Sequence, residues 1–211
     1  MPLALLFHGG SALEAQSMRY EVNTASSHLF IVTHKSGLLS FFGHEHAILP
    51  TQWRAELCLE PGDPSTGSAA IVIDARSLVI DTDSARTLAG LGNGPNAQDR
   101  QEIQGKLLDT ERLDVENHPE IRLETVAMDG TLDDLDVHAM LNVRGRATEV
   151  RFSPAVERLQ DGTLHVSGSV RVKQSDFGIE RERVGGVVNV ADEVDLHFDL
   201  TADPTERPCP G

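Results

Sequence analysis

The feature that most restricts the fold of this chain is a period-two alternation of apolar and polar residues. From Tyr20 onward the alternation recurs in short blocks, which are separated by turn residues such as Asp161-Gly162. Successive side chains of a β-strand point to opposite faces of its sheet, so each block predicts one half-buried strand. A run of about eight such blocks is typical of a meandering antiparallel sheet. Since a barrel removes the exposed edges of such a sheet, we predict an all-β protein with a roughly eight-stranded antiparallel barrel.

Two stretches depart from this pattern. Between residues 99 and 113 the apolar residues Ile103, Leu107 and Leu108 follow helical spacing, which predicts one short amphipathic helix packed on the barrel. Residues 74–99 are rich in glycine, asparagine and aspartate and predict a long irregular excursion with a turn of helix near Ser84 to Leu91. The three aspartates of this region match no calcium-loop spacing, so we interpret them as surface acids. They are Asp81, Asp83 and Asp99.

The two ends of the chain differ from the barrel region, which predicts one domain over residues 18–202. Residues 1–17 hold a short apolar run with no basic residue before it and no clear cleavage site. We therefore expect a disordered extension or a true start at Met18, and a cytoplasmic protein. The proline-rich residues 203–211 predict a disordered tail. A disulfide between Cys58 and Cys209 is compatible with the sequence but is not required by it.

Charge excludes some classes of partner. The chain holds 18 basic and 33 acidic residues, a net charge of −15, which repels phosphate backbones and anionic lipid surfaces. Nucleic acid is therefore not expected as a partner. No apolar run approaches the roughly 20 residues of a membrane-spanning helix, so we predict no transmembrane segment. The oligomeric state is left open, a dimer included.

The segment Gly43-His44-Glu45-His46 carries the most unusual local chemistry. If residues 38–49 form a strand, His44 and His46 share one face and Glu45 lies on the other. Such a pair can supply two ligands to a divalent metal ion, or can hydrogen-bond to a quinone or another polar lipid head. Two strand histidines bonded to their neighbours are the simpler alternative. The sequence does not rank the candidates for a third metal ligand, which are His28, His34, His118, His138 and His165.

The inward faces of the predicted strands suggest a ligand. One alternating set runs through Trp53, Ala55, Leu57 and Leu59, so we expect Trp53 to face inward. The other inward sets use rather small apolar residues, and an eight-stranded barrel is just wide enough for side chains or one slim ligand. A narrow apolar lumen suits an acyl or isoprenoid chain. A barrel filled by its own side chains is the alternative.

Several sequence blocks, taken in order, resemble the YceI-like family of lipid-binding barrels. The resemblance covers about residues 20–202 and depends on the order and spacing of the blocks rather than on any one of them. The sharpest block is Ser-Asp-Phe-Gly-Ile near residue 177. The blocks are Ser36 to Gly43 (SGLLSFFG), Ile73 to Leu78 (IDARSL), Asn117 to Leu123 (NHPEIRL), Leu141 to Gly145 (LNVRG) and Gln174 to Ile179 (QSDFGI).

The resemblance implies a lipocalin-like barrel with a helix against it, which holds a long polyprenyl or fatty chain and carries it without catalysis. It implies a ligand-facing position for Leu29, Ile31, Ile73, Ile121, Leu123, Leu141, Val143 and Phe177. Relatives commonly have an aromatic-rich run after the glycine that matches Gly43, whereas this chain has His44-Glu45-His46 and looks like a distinct subgroup. Many relatives are exported, which makes the periplasm the alternative location.

Two main hypotheses follow. The first is a non-enzymatic carrier of an isoprenoid, quinone-like or fatty lipid. The second is a metal-binding protein or small metal-dependent enzyme that uses His44 and His46. A barrel with a filled core and an interaction role is the third. No nucleophile motif such as G-x-S-x-G occurs in the chain, so we predict no catalytic residue.

Overall fold

The computed structural model describes residues 17–35, 45–60, 62–180, 183–184, 187–188 and 190–209. The predictions for residues 1–16, for His44 and for residues 210–211 lie outside these ranges. The first strands are β1 (Met18–Val22), β2 (His28–Lys35), β3 (His46–Pro50), β4 (Trp53–Leu59), β5 (Ser68–Asp74) and β6 (Leu78–Ile80). Two helices follow, α1 (Asp83–Leu88) and α2 (Ala97–Leu108). The later strands are β7 (Glu120–Thr131), β8 (Asp134–Val143), β9 (Arg146–Phe152), β10 (Ala155–Arg158), β11 (Leu164–Lys173), β12 (Arg183–Val184), β13 (Val187–Val188) and β14 (Val190–Thr205).

Strand β14 organises the main sheet. One of its edges pairs with β11, and the other pairs first with β2 and then, over residues 202–205, with β1. From β1 the sheet continues through β4, β5, β7, β8 and β9, while β2 leads to β3 and β6. Every pairing between the described strands is antiparallel. This long strand therefore joins the two branches of the sheet.

The sheet curls until β9 lies beside β11. No ladder joins these two strands in the part of the chain that the structure describes, so hydrogen bonds do not close the barrel. In the described part of the chain the main sheet holds twelve strands, more than the roughly eight predicted. One reason is that Ser153-Pro154 divides the expected strand Thr148–Val156 into β9 and β10. Proline has no N–H to donate to a ladder.

The predicted helix is confirmed as α2. Its first turn is capped by Asn96, whose side-chain oxygen accepts a hydrogen bond from the Asp99 N–H at 3.0 Å. Gln104 then bonds to the backbone of β6, donating to the Leu78 carbonyl and accepting from the Ile80 N–H. These bonds satisfy backbone groups at the edge of a short strand and fix the helix against the sheet. No helix among the described residues is long and apolar enough to cross a membrane.

The C-terminal region is more ordered than the sequence suggested. Strand β14 runs to Thr205, three residues beyond the predicted end of the domain. Farther along, Cys209 forms a disulfide with Cys58 of β4, and their Cα atoms lie 5.8 Å apart. Cys58 lies on the outer face of its strand but is only 5% exposed. The prediction of a disordered tail is therefore wrong for residues 203–205, and Cys209 is covalently tied to the barrel.

Candidate functional site

The barrel encloses an apolar cavity of about 250 Å³. Its wall is built almost entirely from aliphatic and aromatic side chains, with polar residues as exceptions. Those exceptions are Thr33, Glu56, Thr125, Gln174 and His197. The predicted residues that line the cavity are Leu29, Ile31, Ile73, Ile121, Leu123, Leu141, Val143 and Phe177.

Strand register explains why these residues meet. Ile71 of β5 lies opposite Leu123 of β7, and Leu123 lies opposite Leu141 of β8. Directly paired residues point to the same face of a sheet, so the three side chains form one layer of the wall. Ala55 of β4 and Ala69 of β5 also line the cavity, and their small side chains leave space in the lumen.

The structure shows which residues of β2 line the cavity. Its residues are apolar on both alternating sets, so the pattern alone does not decide. Leu29, Ile31 and Thr33 of one set line the cavity together with Phe30 of the other set, whereas Val32 is buried elsewhere at 7% exposure. Val32 pairs with the fully buried Ala47 of β3. Both faces of β2 are therefore shielded from water, which is why the alternation of this strand is weak.

Trp53 does not line this cavity, contrary to the prediction that it contacts the ligand. It is the first residue of β4 and lies at a second pocket with Thr24, His28 and Gln52. Ala55, Leu57 and Leu59 of the same alternating set do line the cavity. The alternation identified the face correctly, but it carries no information on where along the strand the cavity ends.

His46 is held by an acidic partner that the sequence did not suggest. Its ring Nδ1 lies 2.5 Å from Asp81 Oδ2, and its side chain is 16% exposed. Asp81 is buried and also accepts from the Ala47 N–H at 3.1 Å and from Arg86 Nη1 at 2.6 Å. The interpretation of Asp81 as a surface acid is therefore wrong. Glu45, by contrast, lies near His34, with 3.6 Å between Oε1 and Nδ1.

These contacts determine the charge state of Asp81. Burial by itself would raise its pKa, but the hydrogen bonds from His46, the Ala47 N–H and Arg86 outweigh burial and hold the pKa below its ordinary value. Asp81 also has a left-handed backbone, with φ of 51°. Aspartate tolerates this conformation better than most residues. Asp81 directly follows β6, and its carboxylate bonds to His46 and Ala47 at the start of β3.

Arg86 of α1 extends this network into the glycine-rich loop. Its guanidinium donates to the carbonyls of Glu45, Gly92 and Asn93 at distances of 2.7 to 3.2 Å. The glycine-rich loop therefore binds the positively charged side chain of Arg86. Sequence reasoning missed Arg86 and Asp81 because their partners lie on different elements and no local motif marks them.

Of the predicted metal pair, the structure describes His46. Among the described residues, no group of three or more His, Cys, Asp and Glu side chains could hold a metal ion. His44 lies outside those residues, so its position relative to His46 is not described. The second hypothesis, a metal site at His44 and His46, stays a prediction.

Comparison with protein families gives a clear assignment. The model of the YceI-like domain matches residues 20–202. The chain belongs to the YceI-like family. No curated protein matches the sequence. The proposal that the Gly-His-Glu-His segment marks a subgroup of YceI-like proteins stays a prediction.

Solved structures share the YceI-like fold at low sequence identity. BcnA of Burkholderia cenocepacia superposes with a TM-score of 0.65 at 20% identity, covering 86% of this chain and 99% of that one. A polyisoprenoid binding domain from Saccharophagus degradans, implicated in plant cell wall breakdown, gives 0.57 at 15% identity, covering 89% and 99%. The YceI protein of Campylobacter jejuni gives 0.53 at 11%, covering 76% and 85%. These similarities support the fold of the YceI-like chain.

Proposed function

We propose that the protein binds a long-chain isoprenoid or another amphiphilic lipid inside the barrel and carries it without chemical change. The observation that carries this proposal is the apolar wall of the cavity. An alkyl or prenyl chain that moves from water into such a cavity gains about 0.8 kcal/mol for each CH₂ group that it buries. The wall is almost entirely hydrocarbon, and Glu56 and His197 are the ionisable residues among its described members, which supports carriage rather than catalysis.

The exposure of the wall residues supports a ligand-holding lumen over a filled barrel. Side chains that face inward in a packed barrel are buried by one another. Here several inward-facing residues are only half-buried, because part of their surface borders the cavity. They are Ile31, Leu57, Ile71, Ile73, Leu123 and Leu196.

The similarity to a named binding domain adds support at the level of ligand class. The Saccharophagus degradans neighbour is described as a polyisoprenoid binding domain and shares this fold at 15% identity. The lipid of the present chain is a narrower question, because the residues that contact a ligand vary with sequence.

We further propose that the protein works in an oxidising compartment, such as the periplasm, rather than in the cytoplasm. The disulfide between Cys58 and Cys209 supports this location. Such bonds persist in oxidising compartments and are rare in the cytosol, where thiols are kept reduced. Fractionation of native cells, with the protein followed by an antibody, tests the location directly. Recovery with the cytoplasmic fraction would contradict it.

Mass spectrometry of an organic extract tests the proposed function. The protein is purified without detergent, and the extract is compared with that of a similarly purified unrelated protein. We expect one long-chain amphiphile in an amount approaching one molecule per chain. No enriched lipid, together with no binding of added prenyl or fatty probes, would contradict the proposal.

A further inference from the structure

We propose that the lumen encloses about ten carbon atoms of a lipid, counted from the apolar end of its chain, and that Leu59 and Leu164 set this limit as the floor of the cavity. The rest of a longer chain would emerge from the opposite end of the lumen and gain no further contact with the wall. This inference rests on the proposed function, because it concerns the length of a chain that occupies the same cavity.

The volume of the cavity limits the length of chain that fits inside it. A protein cavity of about 150 Å³ binds one benzene molecule, which corresponds to about 25 Å³ for each carbon atom. At that ratio the cavity of about 250 Å³ in this barrel holds about ten carbon atoms. Because protein interiors are close-packed and compress little, we do not expect the wall to yield room for a much longer chain.

The exposure of successive inward-facing residues shows where the lumen ends. On β4, Leu57 is half-buried, whereas Leu59, the next residue on the same face, is 2% exposed. On β11, Val166 is half-buried, whereas Leu164 is fully buried. All four of these residues line the cavity. Free space therefore borders Leu57 and Val166 and ends at Leu59 and Leu164.

Strand β1 lies between the two leucines and places them at the same end of the barrel. Ala202 of β14 pairs with Val22 of β1 on one side and with Leu164 on the other. Tyr20, which shares a face of β1 with Val22, pairs with Leu57 and therefore also points inward. Tyr20 is nevertheless fully buried and is not part of the cavity lining. Its ring fills the end of the barrel beneath the floor.

The floor is apolar, so it receives the apolar end of the chain. Neither Leu59 nor Leu164 has a polar side-chain atom, and a head group placed there would lose its hydrogen bonds to water. Two polar lining residues, Thr33 and Gln174, lie at the opposite end of the lumen. Thr33 pairs with Val194 near the start of β14, and Gln174 follows the end of β11 that is remote from Leu164. The head group of the lipid is therefore directed toward that end.

This limit predicts a break in the dependence of affinity on chain length. Each CH₂ group that enters the apolar lumen should strengthen binding roughly fourfold, whereas a CH₂ group that stays in water should leave the affinity unchanged. Replacing Leu164 or Leu59 by alanine removes three carbon atoms from the floor. The break should then move to a chain that is about three carbon atoms longer.

Calorimetry with straight-chain alcohols measures the position of this break. Dissociation constants of hexanol, octanol, decanol, dodecanol and tetradecanol are determined for the wild type and for the floor variants Leu164→Ala and Leu59→Ala. The matched control is Leu159→Ala, which removes the same atoms from a side chain that is 37% exposed. For the wild type and the control we expect roughly fourfold stronger binding per CH₂ up to decanol and less than about a twofold further gain up to tetradecanol. For the floor variants the rise should continue to dodecanol.

Other outcomes overturn specific parts of the proposal. A wild-type affinity that keeps rising roughly fourfold per CH₂ to tetradecanol would refute the length limit and leave lipid binding intact. A break that stays at decanol in the folded floor variants would refute the assignment of the floor to these leucines. Failure of the wild type to bind any of the alcohols would refute both this inference and the proposed function. Because the wild-type series is itself decisive, the test does not depend on the folding of the variants.

Discussion

The guanidinium of Arg86 lies 2.6 Å from the Asp81 carboxylate, and both side chains are withdrawn from solvent. Loss of Arg86 would take from the buried Asp81 carboxylate its permanently charged partner. We therefore expect Arg86→Met to lower the free energy of unfolding by about 3–5 kcal/mol. Chemical denaturation with urea measures this change.

The double variant Asp81→Asn/Arg86→Met is the control for this pair. It removes both charges, and asparagine tolerates the left-handed backbone at position 81. We expect it to be more stable than Arg86→Met alone, because no buried charge is left unpaired. A single variant as stable as the wild type would contradict the role that we assign to the pair.

Two glycines should respond in opposite ways to substitution by alanine. A Cβ at Gly168 of β11 would lie 2.7 Å from Phe198 Cζ, whereas a Cβ at Gly105 of α2 meets nothing within 4 Å. The Phe198 ring also packs edge-to-face on Phe152 at 5.5 Å. We expect Gly168→Ala to lose about 1–3 kcal/mol of stability through overpacking. Gly105→Ala should gain about 0.5–1 kcal/mol through helix propensity. Thermal unfolding of both variants measures the two signs, and equal shifts would contradict the packing described here.

Stability should fall in acid because of Asp195. Bidentate hydrogen bonds from Arg171, aided by His34, lower the pKa of Asp195 from 3.8 to about 2. A carboxylate with a depressed folded pKa stabilises the protein above its unfolded pKa and loses that contribution as the pH falls through the folded value. Arg171 is 61% exposed, so solvent screening limits the contribution to about 1 kcal/mol.

The difference in unfolding free energy between wild type and Asp195→Asn tests this sign. It should be largest above about pH 4 and should shrink as the pH falls toward about 2. The same difference should also shrink in 1 M salt, where the Debye length is about 3 Å. A difference that grows in acid would contradict the claim that Arg171 stabilises the ionised form of Asp195.

The disulfide predicts a strong dependence on reductant. Cys58 and Cys209 are 151 residues apart in sequence, and closing a loop of this size stabilises a fold by up to about 5 kcal/mol in the chain-entropy account. We expect no titratable thiol in the native protein and a lower melting temperature after reduction. The Cys58→Ser/Cys209→Ser variant should have a lower melting temperature than the wild type. Reductant should not change the melting temperature of this variant. Two reactive thiols in the native protein would contradict the bond.

The sequence predicted the cavity wall well because the wall depends on a local property. Alternation places every second residue of a strand on one face. On β2 the family resemblance selected Leu29 and Ile31, which line the cavity together with Phe30 of the other set. The same reasoning failed for Trp53, since the end of a cavity along a strand depends on the neighbouring strands. Sequence alternation also did not predict β6, which has only three residues.

The charged network at His46 was beyond sequence reasoning for a different reason. Asp81 follows β6, Ala47 belongs to β3 and Arg86 to α1, so the hydrogen bonds join three elements. Neither the spacing nor the residue types of these positions suggest a common site. The tail was misjudged in a similar way, because Cys209 is fixed by a partner far away in sequence. Long-range partners, rather than local propensities, account for these errors.

A pair of neighbouring alanines tests the central claim of a ligand-holding lumen. Ala69 lines the cavity, whereas Ala70, the next residue of β5, does not. Phenylalanine at position 69 would occupy ligand space without disturbing a packed core, and phenylalanine at position 70 controls for the added ring. Overpacking of a filled barrel would instead destabilise Ala69→Phe by about 1–3 kcal/mol.

The decisive measurement is the dissociation constant of the fluorescent fatty acid cis-parinaric acid for the wild type, Ala69→Phe and Ala70→Phe. Thermal unfolding is recorded on the same samples. We predict tight binding by the wild type and Ala70→Phe, and at least about tenfold weaker binding by a stably folded Ala69→Phe, a difference of about 1.4 kcal/mol. Undiminished binding by a folded Ala69→Phe, or no binding by the wild type, would contradict the account.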